Sequence, residues 1–312
     1  MHVLVTGGTG YLGSAIVRAL DRAGHTPVVF ARHATSARLP GRAIDGDIRD
    51  TRAVAAAAAG TGAICHTAAL VSIWRRDPAE FDAVNVGGLQ SALAAARMHQ
   101  VPRLVYTSSF LALPPAGHPR ALTANHYQRT KVAARDLARR AAADGLPIVT
   151  LYPGVVYGPG RATEGNLVGR LMQDHRRGRL PAAIGPAHIW SFSFVEDVAD
   201  AHVRALTRAA PAREYQLGGT NAPQRAIYEF LREREGRPLP RQVPYPIATA
   251  AGIAMEAIAR LTGRAPMITR GAVEIFRHDW PLEHAAASRD LGLQITPLPE
   301  GLQRTLDSLS DA

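Results

Sequence analysis

Over roughly the first 150 residues, short apolar runs alternate with longer segments rich in Ala, Leu and Arg. The runs Val3–Thr6, Val28–Phe30, Ala63–His66, Leu104–Thr107 and Ile148–Tyr152 are almost continuously apolar, the pattern of strands buried on both faces. Between them, Tyr11–Ala23, Thr51–Ala59, Ala79–His99 and Asn125–Ala143 read as helices. Strand and helix in regular alternation predict an α/β chain: a doubly wound parallel sheet covered by helices on both faces.

After Tyr152 the texture changes. Pro153-Gly154, Gly158-Pro159-Gly160 and Gly185-Pro186 mark loops, and Tyr215–Leu217 before Gly218-Gly219 reads as a brief return to the sheet. From Pro223 onward the pattern is of helices broken by Pro-rich connections. The expected division is therefore 1–156 plus about 191–222 for the sheet domain, and about 157–190 plus 223–312 for a smaller, mainly C-terminal substrate lobe. Ligands of such a fold bind beyond the carboxyl ends of the strands.

Composition narrows the function. The formal net charge is +10, but the basic residues are scattered, with short clusters only at Arg139-Arg140 and Arg176-Arg177-x-Arg179. No basic stretch is interleaved with aromatics, so no nucleic-acid partner is expected. Cys65 is the single cysteine, which excludes an intramolecular disulfide and a multi-cysteine metal site; it reads as a buried, inert thiol, and no metal is expected. A strand opens at His2 or Val3, leaving no signal peptide, and the apolar stretch Ile247–Ile258 contains Glu256 and is too short to span a bilayer. These features predict a cytoplasmic protein with no membrane partner. Of the 36 basic residues one alone is a lysine, Lys131.

The opening run Thr6-Gly7-Gly8-Thr9-Gly10-Tyr11-Leu12-Gly13 lies between a strand and a helix. Glycine there permits a tight turn, lets backbone approach a pyrophosphate and lets helix pack on strand, while the helix amino terminus offers free N–H groups. This Rossmann arrangement places Thr6, Gly7, Gly10, Tyr11 and Leu12 at a dinucleotide. At the end of the second strand, Ala31-Arg32 replaces the carboxylate that would accept from a ribose 2′-hydroxyl; Arg32 can fork onto a 2′-phosphate instead, with Arg38 as a second contact, so NADP(H) is favoured over NAD(H). Asp47 suits the adenine amino group, and Ile48 its ring.

Tyr127 and Lys131 lie four residues apart on one helix face. A phenol titrating near about 10 becomes a better proton shuttle when a cation lowers its pKa. Ser108 and Ser109 follow a strand at its carboxyl end, where a hydroxyl can orient a substrate carbonyl.

Together, Thr6-Gly-x-x-Gly-x-x-Gly13, Tyr127-x-x-x-Lys131 and the preceding Ser resemble the extended short-chain dehydrogenase/reductase family. His66-Thr67-Ala68-Ala69, Asn85-Val86-x-Gly88, Tyr152–Gly160 and Phe194–Ala199 are similar to further signatures of it, and the chain looks most like the dihydroflavonol-reductase-like branch. The resemblance implies Ser109, Tyr127 and Lys131 as catalytic residues, Tyr127 being the general acid–base and Lys131 also holding the nicotinamide ribose. It implies Pro153, Val155 and Val156 beside the nicotinamide, Thr67, Ala68 and Ala69 beneath ribose and phosphate, and Asn85 in a supporting role. It also implies a homodimer pairing the helices at 79–99 and 125–143.

Three departures from the family pattern bear on the reaction. Phe110-Leu111 stands where sugar-nucleotide dehydratases carry an Asp-Glu pair. Trp190 stands seven residues before Asp197, where sugar-nucleotide epimerases commonly grip the diphosphate with arginine. Asn166-Leu167 keeps an asparagine such enzymes use. Trp74, Trp190 and Phe110 suggest an apolar pocket; Arg75, Arg76, Arg161 and Arg170 are candidates for an acidic substrate group, although surface positions explain them as well. His126 and His278-Asp279 read as bystanders. The expected activity is an NADPH-dependent reductase or dehydrogenase acting on a small ketone, aldehyde or alcohol. The alternatives are a sugar or nucleotide-sugar epimerase with retained NAD(P), and a nonenzymatic NAD(P) sensor.

Overall fold

The computed structural model describes residues 1–180 and 182–310. In chain order the strands are β1 (His2–Thr6), β2 (Thr26–Ala31), β3 (Arg42–Asp45), β4 (Ala63–His66), β5 (Leu104–Thr107), β6 (Ile148–Pro153), β7 (Val155–Tyr157), β8 (Ile189–Phe194), β9 (Glu214–Leu217) and β10 (Thr220–Pro223). The helices are α1 (Tyr11–Arg22), α2 (Thr51–Ala58), α3 (Ala79–Phe81), α4 (Gly88–Met98), α5 (His126–Ala143), α6 (Leu167–Arg176), α7 (Val195–Ala205), α8 (Ala226–Glu235), α9 (Tyr245–Thr262), α10 (Arg270–Phe276), α11 (Ala285–Leu291) and α12 (Leu298–Ser310).

Seven strands form a parallel sheet in the order β3-β2-β1-β4-β5-β6-β9. Alternation along each strand sorts its side chains to two cores. Val3, Val5, Cys65, Val105 and Val149 meet Ile16, Val17 and Leu20 of α1 and Val198 and Ala201 of α7. Leu4, Ile64, Leu104, Tyr106 and Ile148 meet Val54 of α2, Leu89 and Ala92 of α4 and Ala134 and Ala138 of α5. Each fully buried aliphatic side chain of this kind contributes about 1.5–3 kcal/mol. Strand order reverses between β1 and β4, which opens a crevice at the strands' carboxyl ends.

Cys65 is fully buried in the first core, and burial pushes its thiol up to about 12, as suits an inert packing residue. Strand β3, Arg-Ala-Ile-Asp, escapes the hydrophobic pattern because it is an edge strand with one large apolar side chain. Residues 191–222 divide between the two halves. Helix α7 and β9 join the main sheet, whereas β8 and β10 pair with β7 in a separate three-stranded sheet. The alternation in β8, Trp190, Phe192 and Phe194 against Ser191 and Ser193, faces its aromatics into a third core with Tyr157, Met172, Ile227, Phe230 and Trp280. No helix among the described residues is long and apolar enough to cross a membrane.

Candidate active site

One cleft of about 1880 Å³ runs from the β1–α1 turn, over the carboxyl ends of β4, β5 and β6, to the helices of the second lobe. Its first part is made of backbone. Gly7 has φ +71°, and a Cβ there would stand 2.6 Å from the Ala68 Cα. A Cβ on Gly13 would overlap the Gly7 carbonyl, so the third glycine lets α1 pack against the turn. Gly10 precedes α1 without a side-chain cap, and no acidic residue occupies the first turn. The helix therefore presents open N–H groups and a positive dipole end to the cleft, where Gly10, Tyr11 and Leu12 line the wall. This cradle, with glycine at 7, 8, 10 and 13, fits a pyrophosphate.

At the outer end, Arg32, His33, Asp47 and Arg49 line the cleft. Both Asp47 oxygens are taken by Arg49, at 2.9 Å from Nε and 2.6 Å from Nη2, which holds the carboxyl below its usual range. Asp45 is likewise used within the protein, accepting from the Thr35 amide and hydroxyl at 2.9 and 2.7 Å. Arg49 had no signal in the sequence beyond being one arginine among many. Ile48 packs against α4 at Gly88, where a Cβ would come within 2.9 Å of it.

Ser109, Tyr127 and Lys131 all line the middle of the cleft. Lys131 is 3% exposed, donates to the Thr107 carbonyl at 3.3 Å, and has its Nζ 5.9 Å from the centre of the Tyr127 ring. An ammonium has three protons to donate, so the remaining valences suit ribose hydroxyls. Burial lowers its pKa to about 8. Tyr127 departs from expectation: burial pushes the phenol up to about 12, and the Ser109 hydroxyl beside it acts in the opposite direction. In the protein alone, desolvation outweighs the Ser109 hydrogen bond.

The surrounding polar groups hold this arrangement. Asn85 sits on a π-helical turn at Asp82–Gly87, accepts from the Leu70 amide at 2.7 Å and donates to Thr130 Oγ1 at 2.9 Å. It thereby ties the 67–70 loop to α5, the supporting role anticipated for it. Gln128, fully buried, accepts from the Ala124 amide and donates to the Leu111 carbonyl, joining the start of α5 to the segment after Ser109. Ser109 Oγ also accepts from the Leu111 amide at 3.2 Å. Behind Lys131, His202 Nδ1 donates to the Val198 carbonyl at 2.7 Å, leaving Nε2 to accept from Thr107 at 2.8 Å. Burial lowers the His202 pKa to about 4, which fixes the neutral ring. Gln128 and His202 were not legible in the sequence, because each acts through partners brought close by the fold.

Towards the second lobe the walls become apolar. Trp190 packs on Phe110 at 6.0 Å and on Phe276 at 4.9 Å between ring centres. Trp74 does not line the cleft, contrary to the grouping drawn from sequence, and neither does Arg76; Arg75, Arg161 and Arg170 do. Asn166 is fully buried and spent on structure: it caps α6 through the Gly169 amide and donates to the Gly158 carbonyl. His126 stacks on Phe81, and Asp279 accepts from the Ile189 amide beside His188, so both suspected bystanders have packing or structural partners.

Residues 3–218 match the model of the NAD dependent epimerase/dehydratase family. The chain belongs to that family, within the extended short-chain dehydrogenases/reductases, whose members are NAD(P)-dependent enzymes acting on alcohol and carbonyl groups. Among relatives, it is 30% identical to a 2-alkyl-3-oxoalkanoate reductase of Stenotrophomonas maltophilia, over 97% of this chain and 98% of that one. It is also 30% identical to sterol demethylase protein B of Methylococcus capsulatus, over 94% and 93%. Among solved structures, gox2253 superposes with TM-score 0.83 at 25% identity, over 99% of this chain and 98% of that one. The UDP-glucose 4-epimerase of Thermus thermophilus in complex with NAD shares the fold at TM-score 0.77 and 24% identity, over the full length of both.

Proposed function

We propose that the protein is an NADPH-dependent reductase of an apolar ketone or aldehyde, Tyr127 serving as the general acid–base. The observation that carries this reading is the wall of Trp190, Phe110 and Phe276 lining the cleft, against whose aromatic cluster Tyr127 itself packs, together with the use of Asn166 as a helix cap. That wall offers a substrate dispersion and desolvation and offers a diphosphate nothing. The 2-alkyl-3-oxoalkanoate reductase relative supports the same class of substrate.

The nicotinamide, when bound, supplies the hydride for carbonyl reduction. Gly7, Gly10, Tyr11, Leu12, Thr67, Ala68 and Ala69 would hold its ribose-phosphate portion, with Pro153, Val155 and Val156 at the ring. Thr6, placed at the dinucleotide by its sequence position, is fully buried with its hydroxyl on His66 and its carbonyl on Thr67, so it supports the turn from beneath. Arg32 would hold the 2′-phosphate. Asp45 and Asp47 are taken up by Thr35 and Arg49, so neither is a free carboxylate to accept from a ribose 2′-hydroxyl, and Arg32 keeps its guanidinium for a 2′-phosphate, which favours NADP(H). Ser109 donates to the substrate oxygen and orients it. Tyr127 delivers a proton to that oxygen, and its raised pKa keeps that proton in place at neutral pH until charge develops. Lys131, protonated below about pH 8, stabilises the phenolate that remains. A homodimer through the helices at 79–98 and 126–143 belongs to the same reading.

The test is stoichiometric. With a panel of alkyl ketones and aldehydes, we expect one NADPH oxidised per alcohol formed, and a preference for long-chain over short-chain substrates. Turnover without net NADPH consumption, on sugar nucleotides alone, would overturn the reading.

A further inference from the structure

The large apolar side chains left exposed on this protein are not scattered. Of the ten among the described residues, seven lie on α9, on the segment after it, or on the 71–76 loop: Ile247, Ile253, Ile258 and Leu261 at 61%, 52%, 57% and 88% exposure, Met267 at 63%, and Val71 and Ile73. At 3.6 residues per turn, Ile247, Ala250, Ala254, Ala257, Ile258 and Leu261 form a continuous stripe along the outer face of α9, with Ile253 at its edge. Its inner face, with Ala248, Gly252 and Ala259, is buried. A monomer whose apolar residues were exposed at random would not gather them on one helix.

Two further features fix what the stripe meets. The first is its relation to the cleft: Ala251 and Met255, which follow round the helix from Ile247 and Ile258, line the cleft wall. Val71, Ile73 and Met267 both line the cleft and stand exposed, so its apolar arm opens within the patch. The second is charge. Arg260, Arg264 and Arg270 border the stripe, and Arg76 approaches Gly263 at the carboxyl end of α9. Glu256 is the single carboxylate shared by Arg260 and Arg270, at 3.7 and 3.4 Å, so the rim keeps a positive excess.

We infer that α9 and the 71–76 loop dock on the surface of a bilayer bearing anionic headgroups, the stripe entering the acyl boundary and the arginines meeting the headgroups. An apolar helix face rimmed by arginine is the form of an interfacial helix, which lies in the membrane plane without crossing it. A helix need not be apolar enough to cross a bilayer in order to lie on it, so on this inference the expectation of no membrane partner gives way to a peripheral one. A second copy of this chain fits less well, because self-pairing of the face would bring its arginine rim against itself. The consequence is that a lipophilic substrate could enter the cleft from the bilayer through the mouth between Ile73 and Met267.

The inference stands on a binding readout that needs no turnover, so it succeeds or fails apart from the reductase reading. The full chain is floated with phosphatidylcholine vesicles and with vesicles containing phosphatidylglycerol. We expect it to rise with the phosphatidylglycerol vesicles and remain largely free of the others. The double variant Ile253→Asp/Leu261→Asp should reduce the bound fraction by about tenfold or more, and Arg264→Glu by a few fold, with unfolding temperature and NADPH affinity unchanged. Both positions of the double variant are exposed, so folding is preserved. Absence of wild-type binding to either vesicle overturns the inference, as does a wild-type oligomer that the double variant converts to a smaller species while vesicle binding is nil.

Discussion

The two ends of the cleft are built from different materials. The dinucleotide end is backbone: Gly7 and Gly13 leave no room for a Cβ, and the open N–H groups of α1 face the cleft. The substrate end is side chain: Trp190, Phe110, Phe276, Met255 and Ile275 shape it, and of these Trp190 alone gives the main chain a side-chain hydrogen bond, to the His278 carbonyl. The contrast teaches that one end has few sequence solutions and the other has many. Where the chain must hold a pyrophosphate, residue type is dictated atom by atom; where it must be greasy, only volume and polarity are.

The difference can be broken open by substitution at each end. Gly13→Val should have the largest effect: its side chain would meet the Gly7 carbonyl, and NADPH affinity should fall by more than about a hundredfold in a fluorescence titration. Trp190→Ala should spare that affinity within about twofold while costing about 3–5 kcal/mol of stability in chemical denaturation, since a nearly buried ring leaves a cavity. Reversal of these two outcomes would contradict the division of labour.

Arg32→Ala sharpens the comparison within the dinucleotide end. Loss of a charge-assisted hydrogen bond worth about 1.5–3 kcal/mol should weaken NADPH about ten- to hundredfold and leave NADH nearly unchanged. Equal loss for both cofactors would remove Arg32 from the 2′-phosphate.

The smallest effect concerns pH. Burial lowers the Lys131 pKa to about 8, so the cation that supports Tyr127 is present below that value and lost above it. kcat/KM for ketone reduction should therefore fall by up to about tenfold per pH unit above 8. Lys131→Met should lower the rate at neutral pH and abolish this alkaline limb. The same burial has a sign for stability. The folded lysine resists its proton more than the unfolded one does, so this group's contribution grows as pH rises from about 8 towards 10.5 and is lost as pH falls through that window.

Legibility in the sequence followed the same division. The glycine turn, five of the seven sheet strands as apolar runs, and the Tyr127–Lys131 spacing were readable because each is a local requirement on consecutive or near-consecutive residues. Strand β3 was not, because an edge strand needs little apolar character. Nor was the β7-β8-β10 sheet, which is assembled from three separated stretches, with Tyr157 paired to Phe194 and Trp190 to Ala222. Arg49, Gln128 and His202 act through partners found only in the folded chain. The direction of the Tyr127 shift was missed for a related reason: spacing reports the nearness of the lysine and says nothing of how much water the fold removes.

The measurement that bears most directly on the chemistry is the rate of NADPH oxidation with an apolar ketone, taken for the wild type and Tyr127→Phe at matched cofactor saturation. The substitution removes one hydroxyl from a residue that lines the cleft beside Ser109 and Lys131. We expect kcat to fall by about a hundred- to ten-thousandfold with NADPH affinity nearly intact. A variant that kept the wild-type rate would contradict the assignment of Tyr127 as the proton donor.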